Sequence, residues 1–175
     1  MDFFETISKR SCYRGEFSDV PVSRDVLTKV LEAGILAPSA CNKQSPSFIA
    51  IDDPSILAKI ADVLQAPVCS TAKAMIVCVS DSSPVYGEIS FYKEDCAAAV
   101  ENMLLALTAL GYSSVWLDGV LRREGKAEKI AEFLGVPADK RVQIVLPIGV
   151  PATDGPKAQR LPFERRAFFN AWGGR

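Results

Sequence analysis

The sequence predicts an α+β or three-layer sandwich domain with a small sheet and one long central helix. Three observations carry this reading. Segments of helical period alternate with short apolar runs along the whole chain. The segment from about Glu94 to Leu110 is apolar on nearly every face, so it should be buried all round. The chain has 175 residues, and a single domain of that size buries roughly 70% of its extended surface, enough for a core without staples.

Phe3, Phe4 and Ile7 fit a short helix ending near Lys9 and Arg10, followed by the turn-rich SCYRGEFSDVPV. Ser23 is a good N-cap for a helix through about Leu36, in which Val26, Leu27, Val30, Leu31 and Ile35 recur at helical spacing. Pro38 ends it. The polar loop SACNKQSP leads into the strand SFIAID. Asp53-Pro54-Ser55 opens a helix carrying Ile56, Leu57, Ile60 and Leu64. AMIVCVS, residues 74–80, reads as a buried strand. A longer loop, SSPVYGEISFYKE, carries Tyr86, Phe91 and Tyr92. The long helix DCAAAVENMLLALTAL follows, with Gly111 as its C-cap. SSVWLDG reads as a strand and a turn. A helix near Gly125–Leu134 stops at Gly135, and RVQIVLPIGV is the last strand. The tail from about residue 151 mixes arginines with Phe163, Phe168, Phe169 and Trp172 and has no core-helix pattern, so it is expected to wrap a partner.

Composition removes several classes of function. With 20 Lys+Arg against 21 Asp+Glu, the chain lacks the basic face of a general nucleic-acid binder. It has no histidine, which excludes Ser-His-Asp and Cys-His catalysis and histidine metal sites. Its five cysteines are scattered and form no CxxC pair, so they read as buried or incidental thiols. The N-terminal residues show no basic segment followed by an apolar one, and no apolar run reaches membrane-span length. A cytoplasmic protein without membrane contact is expected. The 49% hydrophobic content and mean hydropathy of +0.14 are high for a small monomer and point to apolar surface buried against a second subunit.

Four stretches are candidates for chemistry. Lys9-Arg10-Ser11-Cys12-Tyr13-Arg14 gathers cations and a hydroxyl, suited to a phosphate, or is a solvated basic helix end. Pro38 to Pro46 is dense in hydrogen-bonding side chains and is either a ligand lip or an ordinary loop. Gly119, after Asp118, would let a ligand approach backbone amides, or it simply ends a strand. Lys157 and Arg160 are cations in the tail, or plain surface charge.

Taken in order, four blocks resemble the flavin-dependent nitroreductase family, from about Ile7 to Glu164. They are KRSCYRGEF with its following PV, LAPSACNKQSPSFIAIDDP, DCAAAVENMLLALTALGYSSVWLDG and PKAQRLPFE. Pro-Ser-x-x-Asn-x-Gln between a helix and a strand is the most specific. The resemblance implies an α/β/α sandwich with a small mixed sheet, and an interlocked homodimer with FMN at the subunit interface. It implies ping-pong transfer from NADH or NADPH, through the flavin, to a nitroaromatic, quinone or similar small acceptor. By residue match, Arg10 and Arg160, with Lys157, would hold the phosphate. Ser11, Cys12 and Arg14 complete the first block, with Arg14 at the pyrimidine edge. Pro38, Ser39, Ala40 and Asn42 would reach the flavin from the other subunit. Gln65 would meet the pyrimidine, and Asp118 and Gly119 would offer backbone amides to the reactive edge. No catalytic side chain is implied, because the flavin carries the chemistry.

The chain departs from the family pattern at three points. Cys12 stands where serine is usual, Gln44-Ser45-Pro46 replaces Gln-Pro-Trp, and Arg10-Ser11 replaces an arginine pair. The helical insertion that covers the active site in larger members is absent; Pro84–Lys93 either takes that role or is ordinary packing. A flavin store or redox sensor is the second reading. A thiol-based redox enzyme using Cys12 or Cys41 is the third.

Overall fold

The computed structural model describes residues 1–156 and 158–174. Its helices are α1 (Phe3–Lys9), α2 (Arg24–Ile35), α3 (Pro54–Leu64), α4 (Pro67–Ser70), α5 (Tyr92–Ala109) and α6 (Lys126–Leu134). Its strands are β1 (Pro46–Ile51), β2 (Ala74–Ser80), β3 (Ser113–Ser114) and β4 (Arg141–Gly149). Local chemistry sets the helix ends. The Ser23 side chain accepts from Val26 N, and Asp53 accepts from Ser55 N and Ile56 N ahead of Pro54. Gly135, at φ 66°, ends α6.

The sheet order is β1-β2-β4-β3, and every strand pair is antiparallel. The expected mixed sheet is therefore corrected within the chain. Its parallel element is a single bridge, Cys12 to Ser114, because residues after α1 run along the sheet edge without forming a strand. Two local expectations also change. SSVWLDG pairs as a strand only at Ser113–Ser114 and rejoins β4 through one bridge, Leu117 to Val145. The single turn α4 is too short to carry a periodic signal, yet it buries Val68 and Cys69.

Alternation along β2 builds the three layers. Met75, Val77 and Val79 pack with Leu57, Ile60 and Leu64 of α3 and Ile130 of α6. Ala74, Ile76 and Cys78 pack with Val30 of α2 and Val100, Met103 and Leu107 of α5. With helices on both faces, every residue of β2 is buried. The second layer is tight. A side chain at Gly34 would meet Met103, and the Asn102 amide donates to Ala33 O at 3.0 Å.

The long helix does not bury its whole circumference in one chain. Cys96, Ala99, Val100, Met103, Leu104 and Leu107 face the core. Ala97, Ala98 and Leu105 are only half-buried, and Glu101, Ala109 and Leu110 are exposed. The chain supplies neighbours on one side, α2 and the sheet, and leaves the other open. The accessible surface tells the same story. The chain exposes 10745 Å², about 2,400 Å² more than the roughly 8,300 Å² expected of a monomer of this mass. Phe3, Phe4, Leu36, Leu161, Phe163, Phe169 and Trp172 contribute to that excess.

Candidate active site

The first block folds around Tyr13. Arg10 caps α1, its N–H donating to Thr6 O at 2.9 Å. Residues 13–18 are then laced to the sheet edge. Tyr13 N donates to Ser114 O at 2.9 Å, Ser18 N to Val150 O at 2.8 Å, and Ala152 N to Glu16 O at 3.0 Å. Tyr13 and Phe17 are buried, with ring centroids 5.4 Å apart. The Tyr13 hydroxyl donates to Glu16 O at 2.7 Å. Gly15 and Gly155 both lie against this ring: a Cβ at Gly15 would sit 2.7 Å from the hydroxyl, and one at Gly155 3.0 Å from the ring edge. Two stretches of chain, 140 residues apart, thus close on one aromatic.

They enclose a cavity of about 640 Å³ whose walls include Arg10, Ser11, Cys12, Arg14 and Arg160. That volume suits a cofactor-sized ligand. Arg10 Nε lies 3.2 Å from Glu101 Oε1. Among the described residues, Arg14 and Arg160 have no carboxylate within ion-pair distance. Three guanidiniums with five N–H donors each, only one already paired, fit a phosphate-bearing anion.

The second block lies elsewhere in the chain. The loop after α2 makes a 3-10 turn at Ala40–Asn42, and Cys41, Asn42 and Gln44 take left-handed conformations at φ 50°, 51° and 52°. Ser39 Oγ accepts from Gln44 N at 2.8 Å. The Asp95 carboxyl accepts from Ala40 N at 2.9 Å and Ser45 Oγ at 2.6 Å. Pro38 and Ser39 line a separate, smaller cavity of about 170 Å³ with Gln44 and Asp95.

The remaining residues stand apart from both cavities. Gln65 is exposed at the left-handed end of α3, its amide donating to Asp62 O at 2.6 Å. Asp118 pairs with Arg122 at 2.8 Å. Gly119 has open space on its side-chain flank. Lys157 lies outside the described residues. One chain therefore unites Arg10, Ser11, Cys12, Arg14 and Arg160, and leaves Pro38, Ser39, Ala40, Asn42, Gln65, Asp118 and Gly119 away from that cavity. Cys12 borders the arginines while Cys41 is exposed on the other loop. Sequence reasoning missed Tyr13 with its two glycines, and the carboxyl groups of Asp95 and Glu101. The available signal for those two was an acidic residue inside an otherwise apolar helix.

Comparison with known proteins shows what the chain is similar to. The nitroreductase family model matches residues 7–75 and 62–150. A protein of Archaeoglobus fulgidus, provisionally named NADH dehydrogenase/NAD(P)H nitroreductase, is 37% identical over 136 residues, 77% of this chain and 78% of the relative. A provisionally named nitroreductase from Desulfovibrio desulfuricans, crystallised in complex with FMN, is 31% identical with a TM-score of 0.78, covering 90% of this chain and 91% of that one. A Bacteroides thetaiotaomicron structure with the same provisional name as the Archaeoglobus protein has a TM-score of 0.83 at 26% identity, covering 95% and 96%. The chain belongs to the nitroreductase family.

Proposed function

We propose that this protein is an FMN-dependent oxidoreductase that takes a hydride equivalent from NADH or NADPH and delivers it to a small acceptor such as a nitroaromatic or a quinone. The arginine-lined cavity beside Tyr13 carries the reading, because it gathers Arg10 and Arg160, which the family resemblance gives to the FMN phosphate, with Arg14 in one chamber of cofactor size. The relatives' names and the FMN complex of the Desulfovibrio protein support it. The flavin, when bound, supplies the hydride chemistry; the protein binds and tunes it. Arg10 and Arg160, with Lys157, hold the phosphate. Ser11 and Cys12 offer hydrogen bonds from the same segment. Arg14 stabilises negative charge on the pyrimidine edge, where Gln65 adds an amide. Asp118 and Gly119 present backbone N–H groups to the reactive edge, and the open flank of Gly119 leaves room for close approach.

The site is read as complete only in a homodimer built from single 1–175 domains, with the tail from about residue 151 packed on the partner. Pro38, Ser39, Ala40 and Asn42 lie away from the arginine cavity of their own chain, so the partner's copy of that loop is the one that would meet the flavin. The surface excess of about 2,400 Å² per chain would give an interface of roughly 5,000 Å², in the range of obligate dimers. Among the described residues no helix is long and apolar enough to cross a membrane, and a cytoplasmic location is proposed.

The test is anaerobic spectroscopy. Purified protein should be yellow, should bleach on adding NADH or NADPH, and should recover its colour on adding a quinone or nitroaromatic. A flavin that neither nucleotide bleaches would overturn the oxidoreductase reading and favour a flavin store or sensor, which the altered Gln44-Ser45-Pro46 loop and the short substrate cover motivate.

A further inference from the structure

Asp95 is 4% exposed in the first turns of a helix whose core face is otherwise apolar. A buried carboxyl without partners is costly, and this one has two. Both come from a loop about 50 residues earlier in sequence: Ala40 N at 2.9 Å on one oxygen and Ser45 Oγ at 2.6 Å on the other. The two anchors bracket Cys41, Asn42 and Gln44, all at φ near 50°. Left-handed backbone is disfavoured for residues with a Cβ, and three such residues in four persist only where surrounding contacts over-determine them. Asp95 supplies the contacts from outside the loop; the Ser39–Gln44 hydrogen bond supplies one from within.

We propose that Asp95 is a positioning residue of the cofactor site. It clamps the 39–45 loop in its strained form, so that Ser39, Ala40 and Asn42 are presented to the flavin held by the partner subunit. The proposal rests on the flavin reading above. It also gives α5 a specific task. Asp95 fixes the loop, and Glu101, six residues on, holds Arg10 at 3.2 Å. One helix therefore braces both its own arginine cavity, at Arg10, and the loop offered to the neighbour.

Three variants test this: Ser45→Ala, Asp95→Ala, which removes both arms, and the double variant. Each is compared with wild type in apo-protein hydrogen exchange over residues 39–45, in FMN affinity by fluorescence titration, and in thermal midpoint. Ser45→Ala keeps the Ala40 contact and removes only one arm, so it remains informative if the Asp95 variant fails to fold. The expected result is faster loop exchange and FMN binding weakened by about 5- to 50-fold, with the thermal midpoint lowered by about 2–10 °C as buried polar groups lose partners. The double variant should bind no worse than Asp95→Ala, because that change already breaks the hydrogen bond that Ser45→Ala removes. Unchanged loop exchange and FMN affinity within twofold of wild type in the folded single variants overturn the proposal. Faster exchange with unchanged affinity overturns it too, since the loop would be clamped but not part of the flavin site. Wild-type protein that takes up no FMN overturns instead the reading on which the proposal rests.

Discussion

The Arg10 guanidinium lies 3.2 Å from the Glu101 carboxylate, joining the end of α1 to the middle of α5. Arg10 is 17% exposed and Glu101 48%, so the pair holds the arginine at the cavity wall while its acidic partner faces outward. Arg14 and Arg160 reach the same cavity from exposed positions.

These different supports predict different phenotypes. Arg14→Ala and Arg160→Ala each remove a charge-assisted contact worth about 1.5–3 kcal/mol. FMN affinity should fall roughly 10- to 150-fold, with no change in the thermal midpoint of the apo-protein. Arg10→Ala should weaken FMN at least as much and also lower that midpoint slightly, because a partly exposed ion pair contributes about 0.2–1 kcal/mol. Isothermal titration and differential scanning of the apo-proteins measure both quantities. Unchanged FMN occupancy in Arg14→Ala would contradict its assignment.

At Gly34 two effects oppose each other. Replacing a glycine in the last turn of a helix by alanine gains at most about 1 kcal/mol of helix propensity. The new methyl must displace Met103, and overpacking costs roughly 1–3 kcal/mol. Gly34→Ala is therefore expected to be near neutral to mildly destabilising. Gly34→Val, with more bulk and a poorer helix propensity, should cost clearly more than the alanine variant. Urea unfolding compares them; a stabilising Gly34→Val would show that the α2–α5 contact is loose.

Acid should weaken the fold through exposed carboxylates. Lys73 lowers the pKa of Asp19, Arg24 that of Asp52, and the capping bonds from Ser55 and Ile56 that of Asp53. Folded values below the unfolded value, about 3.9 for aspartate, mean stability that is present above that value and lost as pH falls through the folded ones. The thermal midpoint should be flat from about pH 8 to 5 and decline below about pH 4. Molar salt should shrink the contribution of the Asp19 and Asp52 pairs, which are screened. A midpoint already declining between pH 7 and 5 would point to another titrating group.

The tail is predicted to be an assembly element. Leu161, Phe163, Phe169 and Trp172 are exposed in one chain. Phe163 stacks near Phe169 at 6.1 Å and Phe168 near Trp172 at 5.0 Å, so these rings contact one another within the tail. Truncation before Pro162 should weaken the dimer, seen as a shift toward monomer by light scattering on dilution. A truncated protein that remains a stable dimer at nanomolar concentration would refute the wrapping role.

Local signals wrote much of this fold into the sequence. Ser23 and Asp53-Pro54 announce their helices because capping needs only residues within one turn. Ala74–Ser80 announces a buried strand because an unbroken apolar run has no face left for water. The first block was visible as a cation cluster, but whether it bound an anion or was a solvated helix end stayed open. Its link to Arg160 came only through family likeness, since 150 residues separate Arg10 from Arg160. Other features left too little pattern to read. The turn Pro67–Ser70 and the strand Ser113–Ser114 are shorter than any period.

The sequence alone therefore determined the capped helices, the apolar strands, the sandwich class and the absence of histidine chemistry, all set by neighbours along the chain or by composition. Tertiary structure decided which face of α5 is buried, that Gly15 and Gly155 close on one tyrosine, and that Asp95 and Glu101 reach from one helix to Ala40 and Arg10. Those relations depend on packing between segments distant in the chain, and no periodicity or propensity along a single segment records its neighbour across space.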